Sequence, residues 1–372
     1  GSRHAGSVVG GTAEEPGRPC WPWCDPTSPS VDTHLRLSYA SISMKADTYN
    51  DGSVSVIMPL YNHERYVGHA LESVFAQSVR PLEIIVVDDG SCDGSVAVVR
   101  ALAAQWPEMV FWSHPNQGAH YTLNAAIHRA RGEFVAILNS DDAYHPERLA
   151  HCLQVFGDDP GVALVTTALN FVDERGDPIH NRWHERGKAF YREIGDLSLA
   201  LVNGNFLMTT SNICARRSLF HEIGGFSRLR YAHDLEFFLR VLARGKRIHF
   251  IDKPLVDYRR HASNTIREDV PKVRAETAGA VAYFIYEYWH RWRGGNRDWG
   301  YLGRITDIAD RLGLTPLLVH FFAFFQDVPP GDDVWRAFAR DEGFRESVER
   351  AAQRTLASAA GPSSPSGLAG VA

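Results

Sequence analysis

Four polar clusters recur in the first half of the chain, each directly after a short apolar run. They are Pro59-Leu60-Tyr61-Asn62-His63-Glu64, Asp88-Asp89-Gly90-Ser91-Cys92-Asp93-Gly94, Asn116-Gln117-Gly118 and Ser140-Asp141-Asp142. Each residue type suits a task. A tyrosine at a strand end can stack on a nucleobase, and a carboxylate can accept from a base N–H. Two adjacent carboxylates ending a buried strand are costly unless a cation compensates them. Oxygen ligands of this kind suit Mg2+ or Mn2+, which bridge a diphosphate and act as Lewis acids on a leaving group. Taken singly, the DDGS loop and the Asp141-Asp142 pair also read as turns or helix N-caps. Their recurrence after successive apolar runs is what points to a site.

The runs themselves, VSVIMPL (54–60), LEIIVV (82–87), MVFWSH (109–114) and EFVAILN (133–139), predict buried strands. Between them, Val67, Ala70, Leu71, Val74 and Phe75 share one helix face. A second helix is marked by Val96, Val99, Ala103 and Trp106, and a third, from about His120, by Leu123, Ala126, Ile127 and Ala130. Regular alternation of strand and helix predicts right-handed βαβ units in an α/β fold with a Rossmann-like, mostly parallel sheet flanked by helices. Ligands bind such sheets at the carboxyl ends of the strands, where all four clusters fall. Residues 163–173 and 246–252 predict further strands. Beyond Ile266 the pattern turns helical and aromatic, an all-α appendage.

The expected organisation is a disordered leader (1–50) and a globular domain (51–265) with a nucleotide-binding half (51–160) and an acceptor half (161–265). A helical extension (266–357) and a disordered tail (358–372) follow. The 372 residues are 44% apolar and 22% charged, and the net charge of −5 disfavours a nucleic acid partner. The five cysteines, Cys20, Cys24, Cys92, Cys152 and Cys214, are odd in number and lack paired spacing, which suits a reducing compartment. No apolar run approaches the about 20 residues that span a bilayer. The expectation is a cytoplasmic protein, with peripheral association at the inner face of a membrane left open.

PLYNHERYVGHALESVFAQ (59–77), EIIVVDDGSCDGS (83–95) and NQGAHYTLNAAIHRARGEFVAILNSDDAYHPERL (116–149) resemble the nucleotide-binding half of family 2 glycosyltransferases, which have the GT-A fold. The resemblance runs over residues 53–265. It implies that Tyr61 and Asp89 hold the nucleobase, with Pro59, Asn62, Glu64, Asn116, Gly118 and Asn124 around the nucleotide. Asn139-Ser140-Asp141-Asp142 matches the family's DxD-type motif, implying Asp141 at the ribose or sugar and Asp142 at Mn2+ or Mg2+.

SNICARRSLFHEIGGF (211–226) resembles the stretch that shapes the donor-sugar and acceptor pocket, which brings in Asn212, Gly224 and Gly225. His233-Asp234-Leu235-Glu236 resembles the ED-containing motif. Asp234 is there the general base, and His233 replaces the usual glutamate. Tyr258-Arg259-Arg260-His261 resembles the closing segment, implying His261 in the metal shell and an arginine, Arg259 or Arg260, at phosphate.

The function implied is an inverting, metal-dependent glycosyltransferase. It moves a sugar from a nucleoside diphosphate, UDP by family habit, to a hydroxyl of a glycan, lipid-linked or protein acceptor. Two features depart from the family: Leu123 stands where arginine is common, and Arg291-Trp292 lacks the glutamine of processive synthases, Tyr288 taking its place. Single additions are therefore expected. Of the rivals, a sugar nucleotidyltransferase needs a Gly-rich basic loop after the first strand, and a nicotinamide enzyme needs GxGxxG there. A non-catalytic binder of nucleotide sugars or glycans remains as the alternative.

Overall fold

Strand β1 (Val54–Leu60) is buried along its length because its alternate residues feed two cores. Val54, Val56, Met58 and Leu60 face one, and Ile57 faces the other. The computed structural model describes residues 52–291, 298–329 and 332–359. The expected leader, most of the expected tail, Cys20, Cys24 and Trp292 lie outside them.

After β1 come α1 (Val67–Phe75), β2 (Glu83–Asp88), α2 (Ser95–Ala103), β3 (Met109–Ser113), α3 (Ala119–Arg129) and β4 (Phe134–Ile137). The chain continues through β5 (Ala143–Tyr144), α4 (Arg148–Asp158), β6 (Val162–Val172), α5 (Arg182–Ile194) and α6 (Leu197–Asn203). Then follow β7 (Cys214–Arg216), α7 (Arg217–Ile223), α8 (His233–Ala243) and β8 (Arg247–Arg259). Among the described residues these strands form one sheet, ordered β3-β2-β1-β4-β7-β6-β8-β5. β3, β2, β1 and β4 are mutually parallel, as are β6 and β8, while β7 and β5 pair antiparallel with their neighbours.

The order reverses at β1. β2 and β3 lie on one side of it and β4 on the other, so the chain leaves the ends of β1 and β4 in opposite directions and opens a crevice between them. Tyr61 to Glu64 and Ser140 to Asp142 are the two loops at that crevice. β7 and β5 were not foreseen. They are three and two residues long, too short to show a period. β8 is longer than expected because it continues through Pro254 to Arg259 along β6, with register shifts on the way.

Among the described residues five further helices follow: α9 (Val270–Arg291), α10 (Trp299–Arg311), α11 (Thr315–Asp327), α12 (Val334–Arg340) and α13 (Glu342–Ala359). They are not an appendage. Phe284, Phe321, Phe325, Trp335 and Phe338 belong to the same core as Ile137, Phe206 and Phe237, so the helical segment completes one face of the sheet domain. α9 carries Gly279, where an added Cβ would lie 2.7 Å from the Phe321 Cζ. The buried Phe321 ring has nowhere to retreat. Gly279→Val is expected to lose about 1–3 kcal/mol by overpacking, read as a lower urea midpoint at unchanged slope.

Candidate active site

The loop after β1 turns at Asn62, which adopts φ of +52° without being glycine. The loop after β2 holds that turn. Asn62 N–H donates to Ser91 Oγ (2.9 Å), Cys92 N–H donates to Asn62 Oδ1 (2.8 Å), and Gly94 N–H donates to Glu64 Oε2 (3.0 Å). Tyr61 stands 46% exposed at the mouth of the crevice, free to present its ring. Asp89 is buried and accepts from the N–H groups of Gln117 (2.7 Å) and Gly118 (2.9 Å), fixing the loop after β3, while Asn116 is exposed beside it. Burial raises the Asp89 carboxyl above its usual range, against those bonds and the nearby His114. Gly118 needs to be glycine, since its φ is +89°.

The acid pair after β4 divides differently from the motif expectation. Asp142 is 1% exposed and already committed. Its Oδ1 accepts from Arg259 N–H (2.9 Å), and its Oδ2 accepts from the hydroxyls of Ser211 (2.6 Å) and Thr209 (3.4 Å). Burial, followed by repulsion from Asp141, raises its pKa well above the carboxylate range. Asp141 is the acid turned to the crevice. Its Oδ2 lies 3.0 Å from His261 Nε2 and 3.9 Å from His63 Nε2. Burial pushes the Asp141 carboxyl up, but the hydrogen bond from His261 and the charges of both histidines outweigh it, leaving the net shift downward.

Ligand atoms of His63, Asp141 and His261 lie within 4.8 Å of one another. A carboxylate oxygen beside two imidazole nitrogens at that spread suits a divalent ion. The expected ligand Asp142 sits outside this group.

Several other expected site residues serve as braces. Asn124 spends both ends of its amide on Phe226, donating to its carbonyl (2.8 Å) and accepting from its N–H (2.7 Å). Asn212 is buried between Thr167 and Leu207. Arg259 is buried, donating to the carbonyls of Asp141 (2.9 Å) and Asp173 (3.0 Å) with its guanidinium over the Tyr66 ring. The carbonyls of Gly224 and Gly225 are held by Arg240, which pairs with Glu236 at 2.8 Å. The motif residues therefore cluster as expected, but many support the site rather than line it. Of Arg259 and Arg260, it is Arg260 that lines the adjoining cavity, together with Arg186, Arg267 and Arg274.

That cavity, of about 380 Å³, runs between α5, α6, the start of α8 and the helical extension. Asp234 lines it beside Asn205, Trp183, Tyr231, Tyr258 and Arg260. The Asp234 carboxylate accepts from Asn205 Nδ2 (2.9 Å) and Leu235 N–H (2.7 Å). Burial raises its pKa to about 7, the hydrogen bonds only partly opposing the shift. Its neighbour His233 is pushed down to about 4, by burial first and then by His120. Burial, and then the nearby carboxylates of Asp142, Asp141 and Asp234, raise the pKa of the Tyr258 phenol.

Two residues that the structure places at the candidate site had no role assigned from the sequence. His63 was visible in the first cluster, but nothing in its spacing assigned it a task. Glu276, on α9, carried no signal at all. Its buried carboxylate accepts from three consecutive N–H groups, those of Arg230 (3.0 Å), Tyr231 (2.6 Å) and Ala232 (3.0 Å), just ahead of His233 and Asp234. Glu276→Ala orphans all three donors. A loss of about 3 kcal/mol in chemical denaturation is expected, together with a fall in turnover larger than any change in nucleotide affinity.

A mixed sheet with a nucleotide-type crevice at the β1/β4 reversal, an acid–histidine group at its mouth and an acid-lined cavity alongside is the GT-A architecture of glycosyltransferases. Residues 55–224 match the model of glycosyl transferase family 2. It is 27% identical to an uncharacterized glycosyltransferase of Rickettsia typhi over 228 residues, which are 60% of this chain and 68% of that protein. It is 31% identical to the chondroitin synthase of Pasteurella multocida over 215 residues, covering 57% of this chain but only 21% of the synthase. The mannosyltransferase PcManGT of Pyrobaculum calidifontis, solved with GDP-Man and Mn2+, shares the fold at 19% identity and a TM-score of 0.50, covering 82% of this chain and 86% of that one. Among the described residues no helix is long and apolar enough to cross a membrane.

Proposed function

We propose that this chain transfers a sugar from a nucleoside diphosphate, UDP first among the candidates, to a hydroxyl acceptor in a single inverting displacement. The observation that carries the reading is the presence of two acid centres: Asp141 with its histidines at the crevice, and Asp234 in the adjoining cavity. On this reading the base stacks on Tyr61 at the rim. Asp89 acts through the loop it holds, and Arg260 faces the diphosphate.

The donor set at Asp141 and His261 fits Mn2+ or Mg2+, and a divalent ion bound there would supply charge neutralisation for the departing diphosphate. The remaining chemistry belongs to the chain. Asp234 takes the proton of the acceptor hydroxyl as that oxygen bonds to the anomeric carbon. The bond from that carbon to the diphosphate oxygen breaks on the opposite face, and the configuration inverts. A carboxylate of pKa about 7 is well matched to this work at neutral pH. The acceptor reaches Asp234 through the cavity, whose aromatic and asparagine side chains suit a glycan or glycan-bearing acceptor.

A thermal-shift screen of UDP-, GDP- and dTDP-sugars, with and without Mn2+, tests the donor half. The matching donor raises Tm because it binds only the folded chain. NMR of the product's anomeric proton then tests the mechanism. Retention of configuration, or a screen in which no nucleotide sugar moves Tm, sinks the reading.

A further inference from the structure

We propose that His63 is a third protein ligand of the divalent ion, giving a site of two histidines and one aspartate that takes up Mn2+ in preference to Mg2+ without nucleotide. The proposal rests on the reading that Asp141 and His261 hold an ion.

The two histidines share one arrangement, although His261 Nε2 also lies 3.2 Å from Asn264 Nδ2. His261 has Nδ1 at 2.8 Å from Ser263 Oγ, and His63 has Nδ1 at 2.8 Å from Ser140 Oγ. In both rings the other nitrogen, Nε2, is the one toward Asp141 Oδ2, at 3.0 Å and 3.9 Å. A hydrogen-bonded partner on the far ring nitrogen is the arrangement that orients a metal-binding imidazole and fixes its tautomer. The rings stand edge to face with centroids 5.6 Å apart, flanking the carboxylate rather than stacking on each other.

The backbone prepares this placement. His63 N–H donates to Ser95 Oγ (2.9 Å) directly after the left-handed turn at Asn62, so the loop after β2 sets where the ring emerges. A non-glycine residue with positive φ is held at a cost, and such conformations gather at functional positions. The three ligands also come from three separate places, the ends of β1, β4 and β8, and meet where the strand order reverses.

The ligand set has a chemical consequence. Mg2+ favours oxygen and gives up its water reluctantly, whereas imidazole nitrogen suits the transition-series ions. A site supplied by carboxylate and nucleotide alone fills only when the nucleotide arrives. Three protein ligands allow the ion to bind first.

The test is direct titration of the full chain with Mn2+ in the absence of nucleotide, following the free aquo-ion signal by electron paramagnetic resonance. The wild type is expected to bind one ion, with Mg2+ competing weakly. His63→Gln should weaken Mn2+ binding about 10- to 100-fold, with metal-free UDP affinity unchanged. His63→Asp, which restores an oxygen ligand, should recover uptake but lose most of the preference for Mn2+ over Mg2+. If Asp141→Asn abolishes uptake while both His63 variants bind Mn2+ like the wild type, the ion site stands and the role given to His63 falls. If Asp141→Asn leaves uptake intact as well, the reading of the site falls with it.

Discussion

Asp234→Asn is expected to lower kcat about a thousandfold while leaving donor affinity within a factor of two, the pattern of a group that acts only in the transition state. The substitution keeps the shape and an acceptor for Leu235 N–H but removes the base. In the wild type, log(kcat/KM) should rise with pH and level off above about 7, where the carboxyl has lost its proton. That rising limb should vanish in the variant. Assays with saturating and limiting donor across pH 5.5 to 8.5, as roughly one and a half units either side of that value, separate the two effects. Full transfer activity in Asp234→Asn would falsify the assignment.

The same carboxyl has a signed effect on stability. Its pKa is 3.8 in the unfolded chain and about 7 when folded, so between those values the folded chain holds a proton that the unfolded chain has released. The contribution is fully present below the unfolded value and is lost as pH rises through about 7. At about 1.4 kcal/mol per unit, the whole effect is of order 4 kcal/mol. The folded chain thus gives up stability to keep an ionised base in a buried cavity. Asp234→Asn, which cannot ionise, should therefore gain Tm relative to the wild type at pH 8 and lose that advantage at pH 5.

The second large effect separates the acid pair. Asp141→Asn is expected to fold normally and to lose transfer by a hundredfold or more, because it removes the one carboxylate that His261 and His63 both face. Mn2+ uptake should be lost with it. Asp142→Ala should fail by another route. It orphans the buried Arg259 N–H and Ser211 hydroxyl, and leaves a hole where β8 meets the start of β5. A stability loss of about 3 kcal/mol is expected, with metal affinity per folded molecule little changed. Denaturation curves and Mn2+ titrations on both variants decide the matter. The opposite pairing, with Asp142→Ala folded but unable to bind metal, would restore the motif expectation.

How far the site could be read from sequence differs from residue to residue. Tyr61, Asp141 and Asp234 were legible because each adjoins a pattern with its own period: an apolar strand before the first two, and a helix whose first turn holds the third. Asn124 and Asn212 were legible as belonging near the site but not as to what they do. An amide looks the same in sequence whether it meets a ligand or, like Asn124, closes a ring with the Phe226 backbone 102 residues away. The orientation of Asp142 was likewise beyond reach, because it depends on Ser211 and on Arg259 at the end of β8, both far along the chain.

What the sequence determined by itself is the alternation of strands and helices from Val54 to Arg129 and the fall of the polar clusters at strand ends. Both follow from local apolar periodicity, which the solvent enforces on any chain with one buried face. What the tertiary structure alone decided is which member of each cluster faces the crevice and which faces the core. Asp141 and Asp142 are neighbours in sequence with opposite surroundings, and Glu276 reaches the base loop only because α9 packs on α8. Burial and hydrogen bonding over long separations set those outcomes, and no local pattern carries them.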